Sequence, residues 1–126
     1  MDIKTEGPRD LAFLLSEGNG KISREVVTIK SGAGILQPGT VLGQITAGGK
    51  YVISANAEVV GSEGAETAKA VLAYGVDATS ADVAAVVIQR LAEVKTSMLV
   101  FDASVNDAGK TATKLGQLAA QNIFAR

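Results

Sequence analysis

The stretch Gln37-Pro38-Gly39-Thr40-Val41-Leu42-Gly43, with Ala47-Gly48-Gly49-Lys50-Tyr51-Val52-Ile53 after it, constrains the fold more tightly than any other part of the chain. Pro38 pre-sets φ for the second position of a turn, and Gly39 supplies the positive φ that a type II turn needs at the third. Thr40, Val41, Leu42 and Ile45 then read as a strand. The glycine pair at 48 and 49 reverses the chain, and Tyr51-Val52-Ile53 returns as a second strand. A turn, a strand, a glycine turn and a strand in that order specify a small β-rich domain.

A chain of 126 residues holds one domain. Its rings are few, with three Phe, two Tyr and no Trp, so Ala, Val, Leu and Ile must fill the core. A net charge of −1 leaves no electrostatic footprint for nucleic acid or an anionic membrane. No run of roughly eighteen apolar residues is present, so no transmembrane helix is expected. Residues 1–6 are polar and lack the apolar centre of a signal peptide, which makes cytosolic synthesis the default. The chain has neither Cys nor His, which removes disulfides, thiolate nucleophiles, Cys/His zinc sites and imidazole catalysis together.

Residues 1–10 are charged and carry Gly7-Pro8, and they read as a flexible arm. Leu11-Ala12-Phe13-Leu14-Leu15 is a short apolar patch between that arm and the turn-forming Ser16-Glu17-Gly18-Asn19-Gly20. It fits a strand of the domain's own sheet and, equally, a strand that pairs with a partner's sheet. In the second case Leu11, Phe13 and Leu15 alternate on one apolar face. Val26-Val27-Thr28-Ile29 favours a strand. Residues 54–66 read as a surface loop, and Ala68–Leu72 as a strand of small residues. Thr79 and Asp82 have the spacing of a helix capping box. Residues 83–94 divide the signals: Val83, Val86, Val87, Arg90, Leu91 and Val94 have helical spacing, whereas Val86-Val87-Ile88 runs on like a buried strand. Met98-Leu99-Val100-Phe101 reads as another strand. Asn106 or Asp107 caps a final helix, with Ala108, Ala112, Leu115, Leu118 and Ala119 along its inner face and Lys110, Lys114 and Gln117 elsewhere. Asn122 ends it, and Ile123-Phe124 folds back onto the core.

Four groups of residues could carry chemistry. Gly109-Lys110-Thr111 is the tail of a phosphate-binding loop, but position 104 is Ser where that pattern needs Gly, which leaves a solvated helical turn. The carboxylates are scattered, so a glycosidase-type pair is not indicated. Arg90 and Glu93 fit a surface salt bridge. Tyr51 and Tyr74 are the two rings available for sugar stacking in a small β-rich ligand- or carbohydrate-binding module.

Taken in order, several phrases resemble one family. These are Ser23-Arg24-Glu25-Val26-Val27-Thr28, Gln37-Pro38-Gly39-Thr40-Val41-Leu42-Gly43, Gly49-Lys50-Tyr51, Ala68–Leu72 leading into Val76-Asp77-Ala78-Thr79, and Arg90-Leu91-Ala92-Glu93-Val94. An alanine-rich helix and Ile123-Phe124 follow. The chain resembles the head decoration (capsid cement) proteins of tailed bacteriophages, related to the lambda decoration protein, from about Phe13 onwards. Pro8 and the charges before Leu11 depart from that pattern. The resemblance implies a mixed α+β, β-rich small domain with tight glycine turns and a C-terminal helix over residues 16–126. It also implies a mobile N-terminal arm over residues 1–15, and it favours strand for residues 83–94. Functionally it implies a non-enzymatic homotrimer on the outside of the expanded head, at three-fold and quasi-three-fold sites. There the arm, with Leu11, Phe13, Leu14 and Leu15 in contact, joins a sheet of the major capsid protein. No catalytic residue, cofactor, metal, nucleic acid or membrane partner is implied. The alternative reading is the ligand- or carbohydrate-binding module on a virion surface.

Overall fold

The Pro38-Gly39 turn forms as its residues demand: Gly39 has φ +91° and the Thr40 amide donates to the Gln37 carbonyl at 3.2 Å. The computed structural model describes residues 9–126. In chain order the strands are β1 (Leu14–Glu17), β2 (Arg24–Ile29), β3 (Gly34–Leu36), β4 (Val41–Gln44), β5 (Tyr51–Ile53), β6 (Ala68–Leu72), β7 (Val76–Ala78), β8 (Val83–Ile88), β9 (Ala92–Val94) and β10 (Ile123–Ala125). A 3₁₀ turn covers Thr96–Met98, and the helix α1 covers Ala108–Ala120. With one helix among these strands, the chain is a β-rich domain, and the α+β description fits only loosely.

Strands β2, β5, β4, β6 and β8 close into a barrel, which the hairpin signal alone did not specify. All five strands contribute to its interior: Ile29, Tyr51, Leu42, Ala70 and Leu72, and Ala85 and Val87. A five-stranded barrel is narrow, so small residues alternate with large ones inside it, and few rings are needed. Outside the barrel, β1, β9 and β10 form a three-stranded sheet which, with α1, covers one side. Val41, Val71 and Ile88 point into this second core, against Phe13, Val94, Leu118 and Ile123. Neighbouring residues of β4, β6 and β8 therefore serve opposite cores, as Val87 and Ile88 do, while Val86 lines a surface groove, and the run forms strand rather than helix. Gly43 of β4 sits where the residue 54–66 loop crosses it; a Cβ there would lie 2.0 Å from the Ala65 carbonyl oxygen.

Asp107 caps α1, accepting from the Lys110 amide at 2.8 Å, and Asn122 takes the left-handed conformation (φ +61°) just beyond its end. The buried face differs from the one drawn from spacing. Ala108 and Ala112 are exposed, and Lys114 is 1% exposed. The Lys114 ammonium donates to Ser54 Oγ (2.9 Å), to the Ala55 carbonyl (2.6 Å) and to the Glu66 carbonyl. Three protons meet three acceptors, which is what a buried ammonium requires. Burial lowers its pKa, and the charges of Glu66 and Asp102 oppose that shift.

Other sequence expectations are corrected. Thr79 and Asp82 start no helix. The Asp77 carboxylate instead takes the Thr79 amide (3.0 Å) and hydroxyl (2.6 Å), while Asp82 accepts from the Ser31 amide and pairs with Lys50 at 2.6 Å. Residues 98–101 form no named strand, because the 3₁₀ turn consumes the start of the run and only Val100 bridges, to Thr40. Arg90 pairs with Glu25 (2.9 Å) rather than Glu93, since β8 lies against β2. Glu93 pairs with Arg126 (2.9 Å) and accepts from the Ser16 hydroxyl (3.1 Å), joining all three strands of the small sheet.

Two predictions follow from these contacts. Lys114→Met strands three buried acceptors and lowers unfolding free energy by about 2–4 kcal/mol, read as a shift of the urea midpoint at unchanged m-value. The Glu93 carboxyl is held below its ordinary value, chiefly by the Arg126 hydrogen bond and then by Ser16. A depressed carboxylate contributes stability that is present above its unfolded pKa and is lost as pH falls through its folded pKa. Glu93→Gln therefore shows a shallower loss of stability than the parent as pH falls below about 4.5. Urea titrations at successive pH values check this, and identical pH profiles would reject it.

Candidate functional site

The apolar patch at residues 11–15 does not lie on one face. Leu11 has φ +59°, outside strand geometry, and its amide donates to the Ala73 carbonyl at 3.0 Å. Phe13 is 1% exposed and belongs to the core under α1. Leu14 opens β1 opposite Val94 and is half-buried, and Leu15 is 48% exposed. The left-handed turn at Leu11 and an irregularity in the β1–β9 register between Leu14 and Ser16 break the simple alternation. The boundary expected at residue 15 thus falls inside β1, and residues 11–15 are built into the domain. The remainder of the expected arm, residues 1–8, lies outside the described residues.

Around β1 the surface carries further apolar side chains: Leu91, which had helical spacing in the sequence, and Phe124, which was expected to fold back onto the core but points outward while Ile123 is buried. Leu91, between β8 and β9, has φ +52°. A leucine in this region costs about 1–2 kcal/mol, and two donors hold it there: its carbonyl accepts from the Gly18 amide (3.0 Å) and the buried Ser23 hydroxyl (2.9 Å). The result is a leucine side chain 46% exposed, beside Phe124 at 43%. Leu91 and Phe124 share a groove of about 280 Å³ with Ser16, Glu17, Gly18 and Glu93. Phe124 is the outward residue of β10, and the Arg126 guanidinium lies 5.9 Å from its ring centre. The signal for this surface was present in the sequence as the non-glycine residue Leu91 between two strand-like runs, but its φ is not readable from composition.

Beside β1, the Arg24 guanidinium forms a two-point contact with the Glu17 carboxylate (2.7 and 3.0 Å) and donates to the Tyr74 hydroxyl (3.0 Å). The Arg24 hydrogen bond lowers the Glu17 pKa, and that with Glu17 raises the Arg24 pKa. This fixes the start of β2 against the chain leaving β1.

The chemical motifs are tied up in structure. The first turn of α1 spends its Lys110 amide on Asp107, and the Lys110 ammonium reaches Asn106 Oδ1 at 2.9 Å. Every described carboxylate with a displaced pKa is displaced downward (Glu17, Glu63, Asp77, Asp82 and Glu93). A general acid needs the opposite shift. Tyr51 is 3% exposed inside the barrel, its hydroxyl accepting from Gln89 at 3.0 Å, so it cannot stack on a sugar. The surface beside β1 carries apolar side chains and ion pairs.

No curated protein matches the chain significantly. The family model described as bacteriophage lambda head decoration protein D matches residues 3–123. That match spans the barrel, β1, β9 and α1 and reaches the first residue of β10, and the chain belongs to the bacteriophage lambda head decoration protein D family, a family of structural phage capsid proteins and not of enzymes.

Proposed function

We propose that the protein is a capsid cement. It binds the outside of the expanded phage head as homotrimers at three-fold and quasi-three-fold sites, contacts the major capsid protein, and stabilises the shell against the pressure of packaged DNA. Membership of the decoration family across residues 3–123 carries this reading. Glu17, Glu25, Asp82 and Glu93 are held in ion pairs while apolar side chains such as Leu15, Leu91 and Phe124 stand at the surface, which suits a contact role.

In this reading the chain ahead of β1 is the capsid-seeking arm. Its most N-terminal part reaches the capsid protein and adds to a sheet there. Leu15 adds to the contact from β1, and Leu11, Phe13 and Leu14 anchor the arm's root in the domain. Three arms per trimer compensate for the ordering cost of each by raising effective concentration. Synthesis in the host cytoplasm precedes assembly onto the outer capsid surface.

Two measurements test the proposal. Mixed with emptied heads of its own phage, the protein saturates expanded heads at one copy per capsid subunit and leaves unexpanded heads bare, as read by sedimentation and gel densitometry. Equal binding to both kinds of head would sink the cement reading. Deletion of residues 1–10 preserves the fold and abolishes attachment. Deletion of residues 1–15 also removes the buried Phe13 ring and lowers stability by about 3–5 kcal/mol. If the shorter deletion still binds, the arm is not the attachment element.

A further inference from the structure

Two surface features remain unexplained, and they sit at opposite ends of β2. The first is the loop of residues 54–66. Its tip carries Val59 and Val60, the latter 95% exposed, the highest exposure among the described large apolar residues. The tip is held rigidly. Lys30 Nζ donates to the Gly61 carbonyl (3.2 Å), the Ser62 amide to the Val59 carbonyl (2.9 Å) and the Asn56 amide to Ser104 Oγ (2.8 Å), while Lys114 clamps Ala55 and Glu66. An apolar tip fixed in this way is pre-organised for contact, since its ordering cost is met before binding.

The second feature is the groove beside the start of β2. It is about 550 Å³ in volume, with Val26, Tyr74 and Val86 on its floor and Lys21 on its rim. Val26 is 70% exposed. The rim's Arg24 is paired with Glu17, and Glu25 with Arg90, whereas Lys21 forms no ion pair among the described residues. The loop tip carries the complementary charge: exposed Glu58 next to Val59, also without an ion pair among the described residues.

We propose that the Val59-Val60 tip of one copy seats in the Val26–Tyr74–Val86 groove of the next, with Glu58 against Lys21. This contact rests on the trimer of the proposed function and supplies its interface. One molecule does not fill its own groove: Val60 and Val26 both stand exposed, and Lys30, which holds the tip, lies four residues beyond Val26, about 13 Å along the strand. The two patches differ in shape and charge, so the contact is head-to-tail. Such contacts exclude two-fold dimers, and they close into a ring where the rotation between copies closes, as the trimer requires.

The absence of cysteine makes the test direct. Val26→Cys combined with Val60→Cys is oxidised at a concentration where the native mass of the parent protein is trimeric, and again on decorated heads. The expected product is a covalent trimer on a non-reducing gel, while either single variant gives no trimer. As a second measurement, Lys21→Glu and Glu58→Lys each weaken assembly by about tenfold, and the double exchange restores it. A trimeric native mass with no cross-linked trimer and no charge-exchange rescue overturns this contact and leaves the capsid reading standing. A protein that is never trimeric, in solution or on heads, overturns both.

Discussion

A protonated amine can be buried only where acceptors replace its water, and in this chain Lys114 is placed where three of them converge. Those acceptors belong to the two ends of the residue 54–66 loop, so one ammonium fixes the loop at both ends and fixes α1 to the barrel. The helix then brings Leu118 onto the second core, and β10 follows it to pair with β9. The loop's path across Gly43 depends on the same closure, since the Ala65 backbone lies where a side chain would otherwise be. Removing the charge therefore loosens the helix, the small sheet and the loop tip together, although only the helix carries the lysine.

The division into two cores explains which parts of the fold were legible. Turns were read correctly because their chemistry is local: Pro38 and Gly39 need only each other, and Asp107 and Asn122 mark the ends of α1 through their own backbone preferences. Strands β4, β6 and β8 were harder, because burial on both faces erases the alternation that identifies a half-buried strand. For residues 83–94 the period of 2 survives only when Ala85 and Val87 are separated from Ile88 by destination, and destination is a property of the folded barrel. Barrel closure itself rests on pairings far apart in sequence, such as β2 with β8, that no local pattern encodes.

The same distinction governs the surface. Leu11, Phe13, Leu14 and Leu15 were visible as an apolar patch, and the reading of it as a strand of the domain's own sheet holds for Leu14 and Leu15, which open β1. Its alternation failed because Leu11 is left-handed, a state that the sequence does not mark with Gly or Asn. Spacing sets Lys114 off the inner face of α1, and the acceptors that bury it come from residues about 50 to 60 positions away. Val60 was hidden for the opposite reason: within a polar loop an apolar residue reads as a weak core position, and only the fold shows it standing outside.

The placement of β1 bears on how such a domain would carry load. Leu14 and Ala125 flank Val94 from opposite sides, so the first and last strands meet β9 at the same end of the small sheet. The chain ahead of β1 turns at Leu11, where the Ala73 carbonyl holds its amide, so a pull on it meets that turn before it reaches the β1–β9 hydrogen bonds. Behind those bonds stands Phe13, whose ring would have to leave the second core before β1 could slide, and the Lys95 amide, which donates to the Phe13 carbonyl at 2.7 Å. Glu93, tied to Ser16 on one side and Arg126 on the other, braces the same three strands from outside. A chain end rooted this way is tied into the packed interface between barrel and helix, which is the part of the molecule that Lys114 holds closed.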